Sequence, residues 1–102
     1  MTNQFGLRIK QLREQHNLLQ RQVASQLEID TPMLSKIERG ERKAKKEQIV
    51  LFADLYKASK DELLTLWLAD QLYDVVKDED MAFKAMDAVQ ESLKSLRKPT
   101  KK

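Results

Sequence analysis

The sequence contains no cysteine and only one histidine, His16. The first absence excludes a disulfide framework and a thiolate metal site. The second leaves one imidazole, which cannot build a metal cage alone and would have to do everything in a Ser/His/Asp arrangement, of which none stands out beyond chance. Glycine and proline are scarce as well, with two of each, so no glycine-rich phosphate loop can be written and a strand-rich fold with many tight turns is disfavoured. Long apolar runs are also missing. The most apolar stretch, LLTLWLA at residues 63–69, falls far short of the ~20 residues that span a bilayer, and the first residues lack the basic-then-apolar order of a signal peptide. These shortages point away from an enzyme, a cofactor-binding protein or a membrane protein and towards a cytoplasmic, all-α chain.

What the sequence does have is charge, unevenly placed. Charged residues make up 34% of a chain of 102, a length that supports one helical core but not a core plus a separate catalytic domain. The net charge of +3 hides a segregation: residues 1–60 hold 12 Lys/Arg against 7 Asp/Glu, residues 61–96 hold 3 against 9, and residues 97–102 hold 4 against none. A basic first part suits a polyanion, and an acidic second part has a different task.

Apolar spacing divides the chain into helices. Phe5, Ile9, Leu12 and His16 share one face of a first helix over residues 5–16, closed by Asn17, a residue that tolerates the left-handed conformation. His16 reads as a partly buried packing residue near that helix end. A second helix over about 20–28 buries Val23, Ala24 and Leu27. A third, over about 31–39, is capped by Asp30 or Thr31, carries Pro32 in its first turn where a missing N–H costs nothing, and is ended by Gly40. A fourth over about 46–57 presents Ile49, Phe52, Ala53 and Tyr56. Ser59, with Glu62 three residues on, predicts a capping box that opens a long fifth helix. The acids Asp78, Glu79 and Asp80 fit the first turn of a sixth, where the helix dipole favours negative charge.

The most informative stretch is QRQVASQLEIDTPMLSKIERG, residues 20–40, followed directly by the basic run ERKAKK. Alone, such a run is ordinarily solvated surface. Placed after one helix that braces and one that can insert, it reads as cations set to meet phosphate, and the unit as a helix-turn-helix that binds DNA. Several blocks at matched spacing carry a resemblance: Arg13 in LREQ, Gln20, Val23 and Ala24 at the start of the second helix, SKIERG at residues 35–40, and DELL at residues 61–64. From about Phe5 to Leu64 the chain resembles the Cro/C1-type, or XRE-type, helix-turn-helix regulators. The resemblance implies a five-helix lambda-repressor-like DNA-binding domain, here with an additional C-terminal helix, and an ion pair between Arg13 and Glu38. It departs at Leu19, where the usual Thr or Ser cap is missing. It departs again at Ala44 and Lys46, in place of the usual Pro and apolar residue, which predicts a more basic and more mobile segment over residues 41–46.

Residues placed 100° apart put Leu34 and Ile37 on one side of the third helix and Pro32, Ser35, Lys36 and Arg39 on the other. The outward side is the one a major groove would meet. Lys36 can donate to guanine, Ser35 and Thr31 can bond base edges, and Met33 or the Thr31 methyl can touch a thymine methyl, with Pro32 beside them. The amide of Gln20 suits a phosphate, as do Arg39, Arg42, Lys43, Lys45 and Lys46 on the far side of the groove. Neutralising roughly six phosphates would give a salt slope of about −5.

One such helix reads too few base pairs to address a genome, so a homodimer on a palindrome is expected. Ala82, Met86, Val89, Leu93 and Leu96, at spacings of 4, 3, 4 and 3, form an a/d seam, and Trp67, Leu72 and Val76 extend the apolar pattern of the fifth helix towards it. Trp67 and Tyr73 read as core or interface packing and not as the lining of a small-molecule pocket. The expected organisation is a helix-turn-helix domain over 1–64, a dimerising helical extension over 65–97 and a disordered basic tail over 98–102. The seam folding back on its own domain, or binding a partner protein as in an antitoxin-like or restriction-modification controller protein, is the alternative. Double-stranded DNA is the expected partner in either case, without cofactor or membrane.

Overall fold

Four residues in the left-handed backbone region cut the N-terminal part of the chain into short helices: Asn17 (φ 56°), Glu28 (φ 58°), Gly40 (φ 79°) and Lys57 (φ 52°). The computed structural model describes residues 3–97. In chain order the helices are α1 (Gln4–Gln15), α2 (Gln20–Leu27), α3 (Thr31–Arg39), α4 (Lys46–Tyr56), α5 (Lys60–Val76) and α6 (Ala82–Leu96), with no strand among the described residues. The protein is therefore all-α, a helix-turn-helix arrangement with an added C-terminal helix. The expected tail, residues 98–102, lies outside the described residues.

The apolar periodicity closes into one core. Phe5, Ile9 and Leu12 of α1 meet Val23, Ala24 and Leu27 of α2, Leu34 and Ile37 of α3, Ile49, Phe52, Ala53 and Tyr56 of α4, and Leu63 of α5, all buried. Phe52 stands at its centre, edge-on to Phe5 with ring centroids 5.9 Å apart and stacked on Tyr56 at 6.0 Å. The small α1–α3 spacing depends on Gly6: a methyl group there would stand 2.5 Å from the Glu38 carbonyl oxygen and strike the Asn3 side chain.

Capping follows the sequence in part. Asp30 caps α3, its carboxylate accepting the Met33 N–H at 2.8 Å, and Ser59 accepts the Glu62 N–H at 3.1 Å at the start of α5. The other half of that expected capping box does not form, because the Glu62 carboxylate is drawn to Arg8 of α1 at 3.1 Å. At Leu19 the missing hydroxyl is replaced from the opposite side: the Gln22 side-chain oxygen accepts the Leu19 N–H at 2.8 Å. Asp78, Glu79 and Asp80 stand before α6, not in its first turn. The backbone N–H groups of Glu79 and Ala82 bond the Val76 and Glu79 carbonyls, so this stretch forms the reversal that separates α5 from α6. His16 is exposed, not half-buried, although its ring stacks on Tyr56 and its Nε2–H donates to the Tyr56 carbonyl at 2.8 Å.

A long-range strap completes the domain. Asp70, in the second half of α5, accepts the backbone N–H groups of Gln4 and Phe5, both at 3.0 Å. These are orphan donors of the first turn of α1, so a carboxylate distant in sequence acts as its N-terminal cap. Beyond Trp67 the helix leaves the core; Leu68, Leu72, Tyr73 and Val75 are exposed, and α6 buries no residue. Asp70→Ala is expected to lower the unfolding free energy by about 1–2 kcal/mol, the cost of an unsatisfied helix start, measured by urea denaturation.

Candidate nucleic-acid interface

Helix α3 can expose its outer side only because its inner side is held. Leu34 and Ile37 anchor it apolarly, and between them and Gly40 lies Glu38, a carboxylate that is just 3% exposed. Glu38 accepts from Arg13 of α1 twice, Nε to Oε2 at 2.7 Å and Nη2 to Oε1 at 3.1 Å, and from Gln20 Nε2 of α2 at 2.9 Å. Its backbone carbonyl accepts from Asn3 Nδ2 at 2.8 Å. Arg13 also donates to the Leu18 carbonyl at 3.0 Å, fixing the α1–α2 turn. The Glu38 hydrogen bond raises the Arg13 pKa further above its ordinary value. The buried Tyr56 hydroxyl close by has no hydrogen-bond partner among the described residues, and burial, reinforced by the charge of Glu38, pushes the phenol well above the usual tyrosine range.

This network alters the expected role of Gln20. Its amide was expected to be available for a phosphate, but one N–H is committed to Glu38. Side-chain hydrogen bonding to a buried acid has the stronger claim, since an unsatisfied carboxylate inside the protein is costly.

On the outer side, Pro32, Lys36 and Arg39 are exposed, while Thr31, Met33 and Ser35 are half-buried. Met33 packs partly against the core. Arg39 is not extended into solvent: its Nε and Nη2 donate to the Glu41 carboxylate at 2.8 and 3.1 Å, and its Nη1 donates to Ser35 Oγ. The pairing raises the Arg39 pKa and lowers that of Glu41. Lys36 and the cations beyond α3, namely Arg42, Lys43, Lys45 and Lys46, are all exposed.

The segment 41–46, expected to be mobile, is pinned at its middle. Ala44 is buried, and its carbonyl accepts the Trp67 indole N–H at 2.8 Å. Lys43 Nζ lies 3.4 Å from Gln71 Oε1 of α5, and the Lys45 N–H is accepted by Gln48 Oε1 at 2.8 Å, opening α4. Trp67, expected at an interface between chains, is thereby engaged inside its own.

Of the other expected interface residues, Leu72, Met86, Val89, Leu93 and Leu96 are exposed, and Val76 and Ala82 are half-buried. They border an apolar groove of about 420 Å³ between the end of α5 and α6, lined among others by Leu72, Val75, Met86, Val89 and Leu93. Sequence reasoning missed Asn3, Gly6, Asp70 and Glu41. A glycine inside an otherwise regular helix was the one local cue, since it marks close approach of another backbone.

Comparison with known proteins agrees with this geometry. A family model described as a helix-turn-helix domain matches residues 4–66, more than half of the chain. The chain belongs to that family and carries a helix-turn-helix DNA-binding domain. Neither a curated protein nor a solved structure matches it, and among the described residues no helix is long and apolar enough to cross a membrane.

Removal of Glu38 leaves Arg13 without its counter-charge beside the orphaned Gln20 amide. Glu38→Ala and Arg13→Ala are each expected to cost about 3–5 kcal/mol, whereas Arg13→Met combined with Glu38→Leu recovers most of the loss; urea denaturation of the three variants checks this.

Proposed function

We propose that this protein is a sequence-specific double-stranded DNA-binding transcriptional regulator of the Cro/C1 type, acting in the cytoplasm as a homodimeric repressor on a palindromic operator. The observation that supports this most directly is the orientation of α3: its inner side is locked by the buried Arg13–Glu38–Gln20 network, and Lys36 stands exposed on its outer side. Helix α3 enters the major groove, Lys36 bonds a guanine edge, and Thr31, Pro32, Met33 and Ser35 border the neighbouring base pairs. Arg42, Lys43, Lys45 and Lys46 meet the phosphates, with the second N–H of the Gln20 amide reaching the backbone across the groove. Occlusion of a promoter is the simplest output of such a contact.

Dimerisation is assigned to residues 65–97. The exposed apolar side chains of α5 beyond Trp67 and of α6 include Leu72, Val75, Phe83, Val89, Leu93 and Leu96. Together with Met81 and Met86 they leave extensive uncovered apolar surface at this end of the chain, of the kind that the core of a protein interface covers. A second copy uses that area and brings two α3 helices to one face of the duplex. An antitoxin-like or controller role, in which the same groove takes a partner protein, is the second reading favoured by this exposed surface.

Lys36→Ala is expected to weaken binding to the selected operator by about 10–100-fold while leaving nonspecific binding nearly unchanged. Wild-type affinity should fall with a log–log salt slope of about −5 or steeper. Gel-shift titrations at several salt concentrations measure both, and absence of any preferred sequence at low salt would overturn the reading. Val89→Asp with Leu93→Asp is expected to give a folded monomer with a cooperative melt, since neither residue belongs to the core, and operator binding reduced at least about 100-fold. Sedimentation and thermal denaturation distinguish that outcome from misfolding.

A further inference from the structure

The outer face of α3 holds an arginine whose hydrogen bonds have been divided in an informative way. A guanidinium has five N–H donors in a rigid planar fork. In Arg39 the Nε and one Nη2 hydrogen are taken side-on by both oxygens of Glu41, and one Nη1 hydrogen by Ser35 Oγ. Two donors remain, one on each terminal nitrogen.

Position matters as much as count. Ser35 lies one turn N-terminal to Arg39, so this hydrogen bond draws the side chain back along the outer face of α3, towards the end that enters the groove. Glu41 follows Gly40, whose left-handed backbone (φ 79°) turns the chain after the helix, and its carboxylate closes on the guanidinium from the other side. Each terminal nitrogen thus keeps one donor, and the two terminal nitrogens of a guanidinium are spaced to donate together to the paired acceptors O6 and N7 of guanine, the commonest specific arginine contact in the major groove.

Charge argues in the same direction. A cation meant for phosphate gains most when it is unpaired, and Arg42, Lys45 and Lys46 make no ion pair among the described residues while standing exposed. Arg39 alone among the exposed cations of this region is held bidentately by a carboxylate. The pairing reduces its pull on phosphate and fixes its orientation, which favours discrimination over general affinity.

We propose that Arg39 is a specificity-determining residue that reads a guanine in each half-site, with Glu41 and Ser35 as the positioning residues that aim it. The proposal rests on the reading of α3 as the base-contacting helix and reassigns Arg39 from the phosphate contacts to the bases. Ser35 becomes chiefly a support, its hydroxyl proton still available to a neighbouring acceptor.

The test is selection of bound duplexes from a random pool by the full chain, in wild-type form and as Arg39→Lys, Glu41→Ala and Glu41→Asp, followed by affinities for the selected site and its single-base variants. Arg39→Lys is expected to abolish the preference for guanine at one position per half-site, a loss of about 10–100-fold in discrimination, with the other positions unchanged. Glu41→Ala should weaken the preference at that same position several-fold while leaving nonspecific affinity equal or higher, because a negative charge is removed beside the DNA. Glu41→Asp, which keeps the carboxylate, should restore part of it. A uniform fall in affinity across all sequences for Arg39→Lys, with a shallower salt slope, would make Arg39 a phosphate contact and overturn the proposal while α3 remained the reading helix. If the wild type selects no motif, the base-reading role of α3 fails, and this proposal with it. All three substitutions lie on exposed residues, and unchanged melting temperatures exclude a folding defect as the cause.

Discussion

A carboxylate sealed inside a small helical protein needs a reason, because burying charge is expensive and a well-packed apolar residue is often as stable or more so. For Glu38 the reason is direction. Helix α3 has only nine residues and two apolar anchors, Leu34 and Ile37, and non-directional packing on so short a contact would leave its rotation loosely fixed. Glu38 adds two hydrogen bonds from Arg13, one from Gln20 and, through its own carbonyl, one from Asn3. Three residues, from α1, α2 and the N-terminal segment, thus converge on one position of α3. Such a network tolerates one geometry, and that geometry puts Pro32, Lys36 and Arg39 outside.

The second half of α5 extends this constraint. Asp70 holds the start of α1, and α1 carries Arg13. Trp67, one turn earlier, holds the carbonyl of Ala44 in the basic segment. One helix therefore fixes both the element that orients α3 and the loop that carries the surrounding cations. The part of α5 that leaves the core is coupled by hydrogen bonds to α1 and to the basic segment, although its far end contributes nothing to the core itself.

The helices and most of their boundaries were legible in the sequence because they follow from local rules: apolar spacing for α1 to α4, Asp30 and Ser59 as caps, Gly40 and Asn17 as stops. The Arg13–Glu38 pair came from resemblance, not from spacing. What was not legible is the partner choice of polar side chains distant in sequence. Nothing local to Asp70 says that it caps a helix 65 residues away, and nothing local to Gln20 says that its amide will turn to an acid 18 residues on. Arg39 was placed on the correct side of α3, but its conformation depends on Glu41 after the glycine, which helical spacing does not relate to it. The acids at 78–80 were assigned from the dipole rule alone, and the backbone bonds of the reversal took precedence. The periodicity of α6 was legible, yet periodicity identifies an apolar stripe without identifying what covers it.

The charge pattern of α6 bears on what covers it. With Met86 and Leu93 as a and Ala82, Val89 and Leu96 as d positions, the seam within α6 is flanked by Phe83, Ala85, Gln90 and Ser92, all neutral, and Arg97 past the helix end is the first charged flanking position. Lys84, Asp87, Glu91 and Lys94 fall on the remaining positions, and Lys94 pairs with Glu91 along the helix at 3.7 Å. Within α6, neutral flanks give the seam little electrostatic means of rejecting a wrong partner or register, so any pairing there would be decided by shape, by how far side chains such as Met86, Val89 and Leu93 fill the groove beside Leu72 and Val75. Electrostatics acts at a larger scale instead. The acidic reversal after α5 repels a polyanion while the basic segment after α3 attracts it, so the charge pattern turns the α3 end of the molecule, and not the α5–α6 end, towards a polyanion.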